Sequence, residues 1–305
     1  MNDTFYFKQA KLLLNMLRFT NKYFNFALKG GTAINFFVRN LPRLSVDIDL
    51  TYVPLQERNQ SLQNISHNLE RLSQDIRHAF PIMKVVVNRT KDTKTVNALI
   101  VNQAGITVKI EANLVIRGTV FPTVKRQLCK QAEQKFAVTT TINTLSFGDL
   151  YGGKICAALD RQHPRDLYDV HLLLKNEGIT EEVRKAFVVY LISHPRPIVE
   201  LLDPNPQDFR EVYFQEFEGM TFDRVPLDDL VETQKYLNQK MKNILTTREK
   251  QFLISFKSLA PDCDLLGLEN IQELPAVKWK LLNLQKMDKK KHRKALDKLK
   301  DCLEM

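Results

Sequence analysis

The chain is poor in the features that mark several large protein classes. It has four cysteines in 305 residues, Cys129, Cys156, Cys263 and Cys302, far apart and with no CxxC pair. That spacing argues against a disulfide framework and against a zinc site, and it fits a reducing cytoplasm. No run approaches the roughly 18 consecutive apolar residues of a transmembrane helix, so no membrane span is expected. The opening Met1-Asn2-Asp3-Thr4 is acidic rather than basic, and no small-residue cleavage site follows it. Those two lacks argue against a secretory signal. There is a single tryptophan, no long repeat and no low-complexity linker.

What is present is an ordinary apolar fraction, 44%, enough for a real core in one large domain or two modest ones. Lys plus Arg number 45 against 35 acids, a net charge of +10 and a pI near 9.3. That balance permits a polyanionic partner such as nucleic acid or a nucleotide, and it is equally the mark of a soluble basic surface. From Pro275 to Met305 there are ten Lys or Arg residues and four acids. The run Lys289-Lys290-Lys291-His292-Arg293-Lys294 falls on an expected helix, either as a solvated face or as a contact to RNA phosphates.

The stretch with the most chemistry is Leu28-Lys29-Gly30-Gly31-Thr32, followed by Arg43-Leu44-Ser45-Val46-Asp47-Ile48-Asp49-Leu50. A strand alternates its side chains, so Asp47 and Asp49 point the same way, with Cα atoms roughly 6.5 Å apart. Two carboxylates on one face among apolar neighbours need cationic neutralisation. Two Mg²⁺ ions would supply it, since they take hard oxygen ligands and bridge substrate phosphates. Gly30 and Gly31 offer backbone N–H groups at an expected helix start, which suits a phosphate. The order, phosphate loop then metal carboxylates, reads as nucleotidyl transfer.

The pattern along the chain is that of an α/β unit with a mixed sheet. Helices are expected over residues 4–19, 32–38 and 55–79, and strands near 24–28, 46–53, 83–87, 95–101 and 106–114. After about residue 143 the character turns helical, with a capping-box-like Ser146-Phe147-Gly148-Asp149 opening a helix through Leu159. Further helices are expected over 165–174, 181–193, 208–217 and 227–245. The expected organisation is therefore an α/β (α+β) domain, 1–143, and a mainly helical domain, 144–305, ending in a basic helix.

Three more places carry candidate chemistry. Glu111, in Val108-Lys109-Ile110-Glu111-Ala112, is either edge-exposed or a third carboxylate for the metals, able to take a proton from an attacking hydroxyl. Lys154 is the lone lysine of an otherwise apolar helix, so it snorkels or points at an anion. The neighbouring Gly152-Gly153 costs helix stability, about 1 kcal/mol each, which implies close approach of another backbone or a ligand. Asp166 and Asp169 lie three apart on one helical face, in Arg165-Asp166-Leu167-Tyr168-Asp169-Val170. They can orient Lys154, Arg161 or Arg165, reach a nucleotide or metal-bound water, or form a salt-bridge network that only joins the two halves. His163 and His171 are read as structural, because phosphoryl transfer rests on positioning and metals more than on imidazole. Trp279 is read as a packing anchor.

Taken in order, Gly30-Gly31-Thr32, Leu44-Ser45-Val46-Asp47-Ile48-Asp49-Leu50, Lys154 and Arg165-Asp166-Leu167-Tyr168-Asp169-Val170 resemble the AbiEii/AbiGii nucleotidyltransferase toxins. These belong to the DNA polymerase beta-like nucleotidyltransferase superfamily. The resemblance continues through His194-Pro195-Arg196-Pro197, Glu200-Leu201-Leu202-Asp203-Pro204, Phe252-Leu253-Ile254-Ser255-Phe256 and Leu274-Pro275-Ala276-Val277-Lys278-Trp279-Lys280, so it spans nearly the whole chain. It implies a type IV toxin–antitoxin or abortive-infection module of phage defence, with a separately encoded antitoxin. It also implies Mg²⁺-dependent transfer of a nucleoside monophosphate from an NTP to RNA, notably tRNA 3′ ends.

By position, the resemblance gives Gly30 and Gly31 to the phosphates, Asp47 and Asp49 to Mg²⁺, Lys154 to the triphosphate, and Asp166 to the motif acid of the helical half. Glu111 follows the wider superfamily pattern. Arg165 and Asp169 are added as nucleotide-side residues. The superfamily usually has Gly-Ser where this chain has Gly30-Gly31, so Thr32 or backbone N–H groups must replace the serine hydroxyl. The resulting expectation is a cytoplasmic enzyme that binds its NTP between the two halves. The alternatives are nucleotidylation of a protein or small molecule, a non-catalytic RNA- or partner-binding module on the same scaffold, and a metal-dependent nuclease.

Overall fold

The computed structural model describes residues 4–305; Met1-Asn2-Asp3, the start of the stretch read against a signal, lie outside the described residues. The chain forms two compact units. One runs to Ser146 and takes in Glu218–Arg224; the other is Phe147–Phe217 with Val225–Met305.

The first unit is built in the order α1 (Phe5–Thr20), β1 (Phe26–Lys29), α2 (Gly30–Ala33), β2 (Asp47–Tyr52), α3 (Arg58–Ala79), β3 (Lys84–Arg89), β4 (Val96–Gln103), β5 (Ile106–Asn113), β6 (Val124–Gln127), α4 (Lys130–Phe136) and β7 (Thr141–Thr144). The seven strands make one mixed sheet in the order β3-β4-β5-β2-β1-β7-β6. The β2–β5 and β1–β7 pairs are parallel and the rest antiparallel. The expected mixed sheet is therefore present. The strands β6 and β7 and the helix α4 were not expected, because Val124–Gln127 and Thr141–Thr144 are four residues each, too short for alternation to register.

Alternation decides β2. Ile48 and Leu50 are buried on one face, while Asp47 and Asp49 sit half-buried on the other. The α3 stripe Leu62, Ile65, Leu69, Leu72 and Ile76 is buried as its spacing requires. Thr4 caps α1 by accepting from the Phe7 N–H at 3.3 Å. The helix opened by the glycine pair continues past Ala33 as one π-turn, Ile34–Val38. The Glu218–Arg224 segment docks just ahead of β2. Leu44 N–H donates to Met220 O at 2.7 Å, and Arg43 bridges to Thr221.

The second unit is helical: α5 (Phe147–Arg161), α6 (Pro164–Asn176), α7 (Glu181–Ser193), α8 (Ile198–Leu202), α9 (Arg210–Glu216), α10 (Leu227–Ile244), α11 (Thr247–Lys257), α12 (Pro275–Gln285) and α13 (Lys289–Leu303). Its centre is the α5–α7 pair. A Cβ on Gly152 would lie 2.6 Å from Phe187 N and 2.7 Å from Ala186 Cβ. The glycine cost is thus explained by backbone approach rather than by a ligand. Gly152→Ala is expected to lower unfolding stability by about 1–3 kcal/mol through overpacking, read as a drop in the urea midpoint of this unit. An unchanged midpoint would show that the helices can slide apart at no cost.

Trp279 is not the packing anchor expected of it. It is 56% exposed, while α12 buries Ala276, Val277 and Leu284. Two residues from Val277 is about 200° around the helix, so the indole faces away from the packed side. No described helix is long and apolar enough to cross a membrane.

Candidate active site

In the first unit the glycine turn and the carboxylate strand are fitted to each other. Gly30 has φ +72°, a left-handed conformation, and its missing Cβ would stand 2.5 Å from Asp49 Oδ2. The Asp49 carboxylate therefore fills the space that the absent side chain leaves. A Cβ on Gly31 would stand 2.6 Å from Arg43 Nη2 and 3.1 Å from Ser45 Oγ. Arg43, just ahead of the carboxylate strand, is 2% exposed and donates from Nη1 to Leu44 O at 2.9 Å. Its signal in the sequence is only that it precedes the carboxylate strand; its guanidinium reaches the turn because the chain folds back.

Thr32 ties the turn to the strand. Its Oγ1 donates to Asp47 O at 2.5 Å and lies 2.9 Å from Ser45 Oγ, and the residue is buried. This hydroxyl is engaged with protein partners, and the backbone N–H groups of the turn are the other donors there.

The register puts charges in rows across the sheet. Lys29, Asp49 and Glu111 are directly opposite one another on β1, β2 and β5, and Asp47 is opposite Lys109. Opposed residues share a face, so both rows lie on the Asp47–Asp49 face. Glu111 is thus neither edge-exposed nor remote: it stands beside Asp49. Its carboxylate is ion-paired with Lys109 two residues away. Among the described residues no group of three or more His, Cys, Asp or Glu side chains is arranged as a metal site. The donor chemistry fits Mg²⁺, being carboxylate oxygen throughout. For Glu111 to join as a ligand, the Lys109 pair must open.

In the second unit the expected acids converge on the expected lysine. Lys154 Nζ lies 2.8 Å from Asp166 Oδ1 and 3.0 Å from Asp169 Oδ2, and the three side chains are 7%, 2% and 0% exposed. Arg161 adds Nε to Asp166 Oδ2 at 2.5 Å and Nη2 to Oδ1 at 3.1 Å. Two cations and two carboxylates close a network on α5 and α6, wholly within this unit, buried except for Arg161, whose side chain is 62% exposed. Burial alone would push the Asp166 acid up. Lys154 and then Arg161 outweigh that and hold it well below the usual carboxylate range.

Arg165 is not part of this network; its Nη2 lies 3.5 Å from Glu216 Oε2. His163 caps α6, its Nδ1 accepting from Arg165 N at 3.1 Å, with Nε2 3.0 Å from Glu216 Oε2. A backbone donor at Nδ1 places the proton of the neutral ring on Nε2. Burial, opposed by the Glu216 hydrogen bond, draws the His163 pKa down, which suits that neutral cap. Its reading as a structural residue fits this geometry.

The fold is similar to that of MenT4, a nucleotidyltransferase toxin from Mycobacterium tuberculosis H37Rv. The TM-score is 0.61 at 13% identity, over 92% of this chain and 93% of that one. At that identity the likeness is one of fold. The family is narrower: a model described as nucleotidyl transferase AbiEii toxin, type IV TA system, matches residues 12–283, and the chain belongs to that family. Curated proteins give no sequence match. The protein is accordingly a nucleotidyltransferase of a type IV toxin–antitoxin system, which uses an NTP and has an antitoxin as its counterpart.

Proposed function

We propose that this toxin transfers a nucleoside monophosphate from an NTP to the 3′-hydroxyl of RNA, with tRNA 3′ ends as the acceptor. The observation that carries the reading is the Gly30 turn closed on the Asp49 carboxylate, with Asp47 on the same face. Backbone N–H groups of the turn take the phosphates, and Asp47, Asp49 and Glu111 are the residues to hold Mg²⁺. Bound there, Mg²⁺ would supply charge neutralisation for the phosphates. Lys154, ion-paired with Asp166 and Asp169, is the residue of the helical unit assigned to the triphosphate, and Arg165 is a further nucleotide-side residue.

In the step itself the RNA 3′-oxygen forms a bond to the α-phosphorus and the α–β phosphoanhydride bond breaks. Pyrophosphate leaves, and the hydroxyl proton passes to the Glu111 carboxylate. The basic α13, with Lys289, Lys290, Lys291, Arg293 and Lys294 exposed, supports a polyanionic acceptor.

The test is incubation with labelled NTPs, Mg²⁺ and total RNA, with Asp49→Ala as control. RNA should be labelled at its 3′ ends by the wild-type protein alone. Label on protein or on a small molecule would redirect the reading to another acceptor. RNA fragments formed without NTP would replace it with a nuclease. Equal toxicity of wild type and an Asp47→Ala/Asp49→Ala double variant would leave only a binding module.

A further inference from the structure

The longest helix of the first unit starts without a cap. The 22-residue α3 has no side-chain hydrogen bond from its N-cap Glu57 and no acid in its first turn. Its first in-helix bond is Ser61 N–H to Glu57 O at 2.9 Å, so the N–H groups of Arg58, Asn59 and Gln60 face outward from the helix end. Helix starts favour negative charge; this one has Glu57 at the cap position, its side chain making no capping bond, followed directly by Arg58.

A second arginine lies against the same turn. Arg117 is 5% exposed, and its Nη1 donates to Arg58 O at 3.4 Å. Its Nε is buried with no hydrogen-bond partner. Neither arginine forms an ion pair with a carboxylate among the described residues, and the charged or titratable groups acting on Arg117 are Arg58 and Tyr52. The Tyr52 hydroxyl is engaged with Gln56 Oε1 at 2.8 Å and Asn64 Nδ2 at 3.0 Å. Burial, then Arg58, draws the Arg117 pKa down.

A desolvated guanidinium next to a like charge is costly and is ordinarily found with an anion. The chain nevertheless fixes Arg117 there. Asn113 Oδ1 accepts from Val115 N at 2.9 Å and Ile116 N at 2.8 Å, and Gly118 N donates to Tyr52 O at 2.8 Å.

We propose that Arg117, Arg58 and the open first turn of α3 form a binding site for a phosphate-type oxyanion. It lies at the Tyr52 end of β2, five residues and ~16 Å from Asp47, so it is distinct from the transfer site. Two donors from each arginine and the helix N–H groups match the several acceptor oxygens of one phosphate. The group is either free inorganic phosphate or a phosphate of the nucleic-acid backbone; the donor set is the same for both.

The test is thermal unfolding of the full chain with inorganic phosphate against chloride at equal ionic strength. The wild type should gain about 2–4 °C at a tenfold excess over Kd. Arg117→Met should lose that gain, and without phosphate it should unfold no earlier than wild type, because an uncompensated buried charge has gone. Arg58→Glu, at an exposed position, should lose the gain as well and guards against a folding failure at 117. Equal gains in wild type and both variants, or none in any, would overturn the site. A short RNA without terminal phosphates separates the sources. If it reproduces the Arg117-dependent gain, the ligand is a backbone phosphate; if only inorganic phosphate does, the ligand is free phosphate.

Discussion

Gly30→Ala is expected to cut transfer activity by roughly 10²–10³ while costing only about 1–3 kcal/mol of stability. Two effects combine at this position. The φ of +72° is one that an L-residue with a Cβ adopts at a cost. The added Cβ would also stand 2.5 Å from Asp49 Oδ2 and 3.4 Å from its Cγ. The Asp49 backbone cannot yield, since β2 is held between Lys29 of β1 and Glu111 of β5. The carboxylate must therefore rotate away from the side where the proposed metal and phosphates would sit. Gly30→Asn separates the two effects, because asparagine tolerates positive φ but carries the same Cβ. Equal loss in both variants assigns the effect to the carboxylate. Recovery in Asn alone assigns it to backbone strain, and a wild-type rate in Ala removes the turn from the mechanism. The readouts are labelled-NTP transfer and the urea midpoint. Gly31→Ala makes a useful comparison, since its Cβ would meet Arg43 Nη2 at 2.6 Å rather than a carboxylate.

The local half of this site was legible in the sequence. A two-residue repeat of Asp47 and Asp49 among Val46, Ile48 and Leu50 can be read only as one face of a strand, and β2 has that alternation. The glycines announced a turn. What lay beyond reading was pairing at a distance. That Glu111 stands opposite Asp49 depends on the parallel register of β5 with β2, which no local pattern encodes. That Lys109 takes the Glu111 carboxylate follows from the same placement. Gly152 was legible as close approach, but its partner, Phe187 of α7, is set by helix crossing. The return of Glu218–Arg224 to the first unit left no trace, because its anchor is a backbone bond, Leu44 N–H to Met220 O. Trp279 misled for a general reason: a lone large aromatic is more often buried, but helix phase overrides composition. On the helical side, the i, i+3 spacing of Asp166 and Asp169 did foretell a shared face, and the buried Lys154 sits on it.

Lys154→Met should lower stability by roughly 3–5 kcal/mol and abolish transfer, and it should also reverse the slope of stability with pH. In the wild type the Asp166 acid is held low by Lys154 and Arg161 against its burial. A carboxyl with a depressed folded pKa adds stability that is present above the usual carboxylate range and is lost as pH falls into and below it. Without the Lys154 ammonium, Asp169, 0% exposed, loses the cation 3.0 Å away and burial pushes its carboxyl up, while Arg161 still pairs with Asp166. A folded pKa raised above the unfolded one means that the native state binds the extra proton first, so stability rises as pH falls from 7 toward 5. The wild-type urea midpoint should thus be flat or falling over that interval while that of Lys154→Met climbs. Lys154→Met/Asp169→Asn should be less destabilised at pH 7 than Lys154→Met alone, because the carboxylate that lost its lysine is gone, and it should lose part of the pH slope. Parallel pH curves for wild type and Lys154→Met would show that the lysine does not set the charge state of the pair. Its neighbours Arg161 and Asp169 would then have to account for the network.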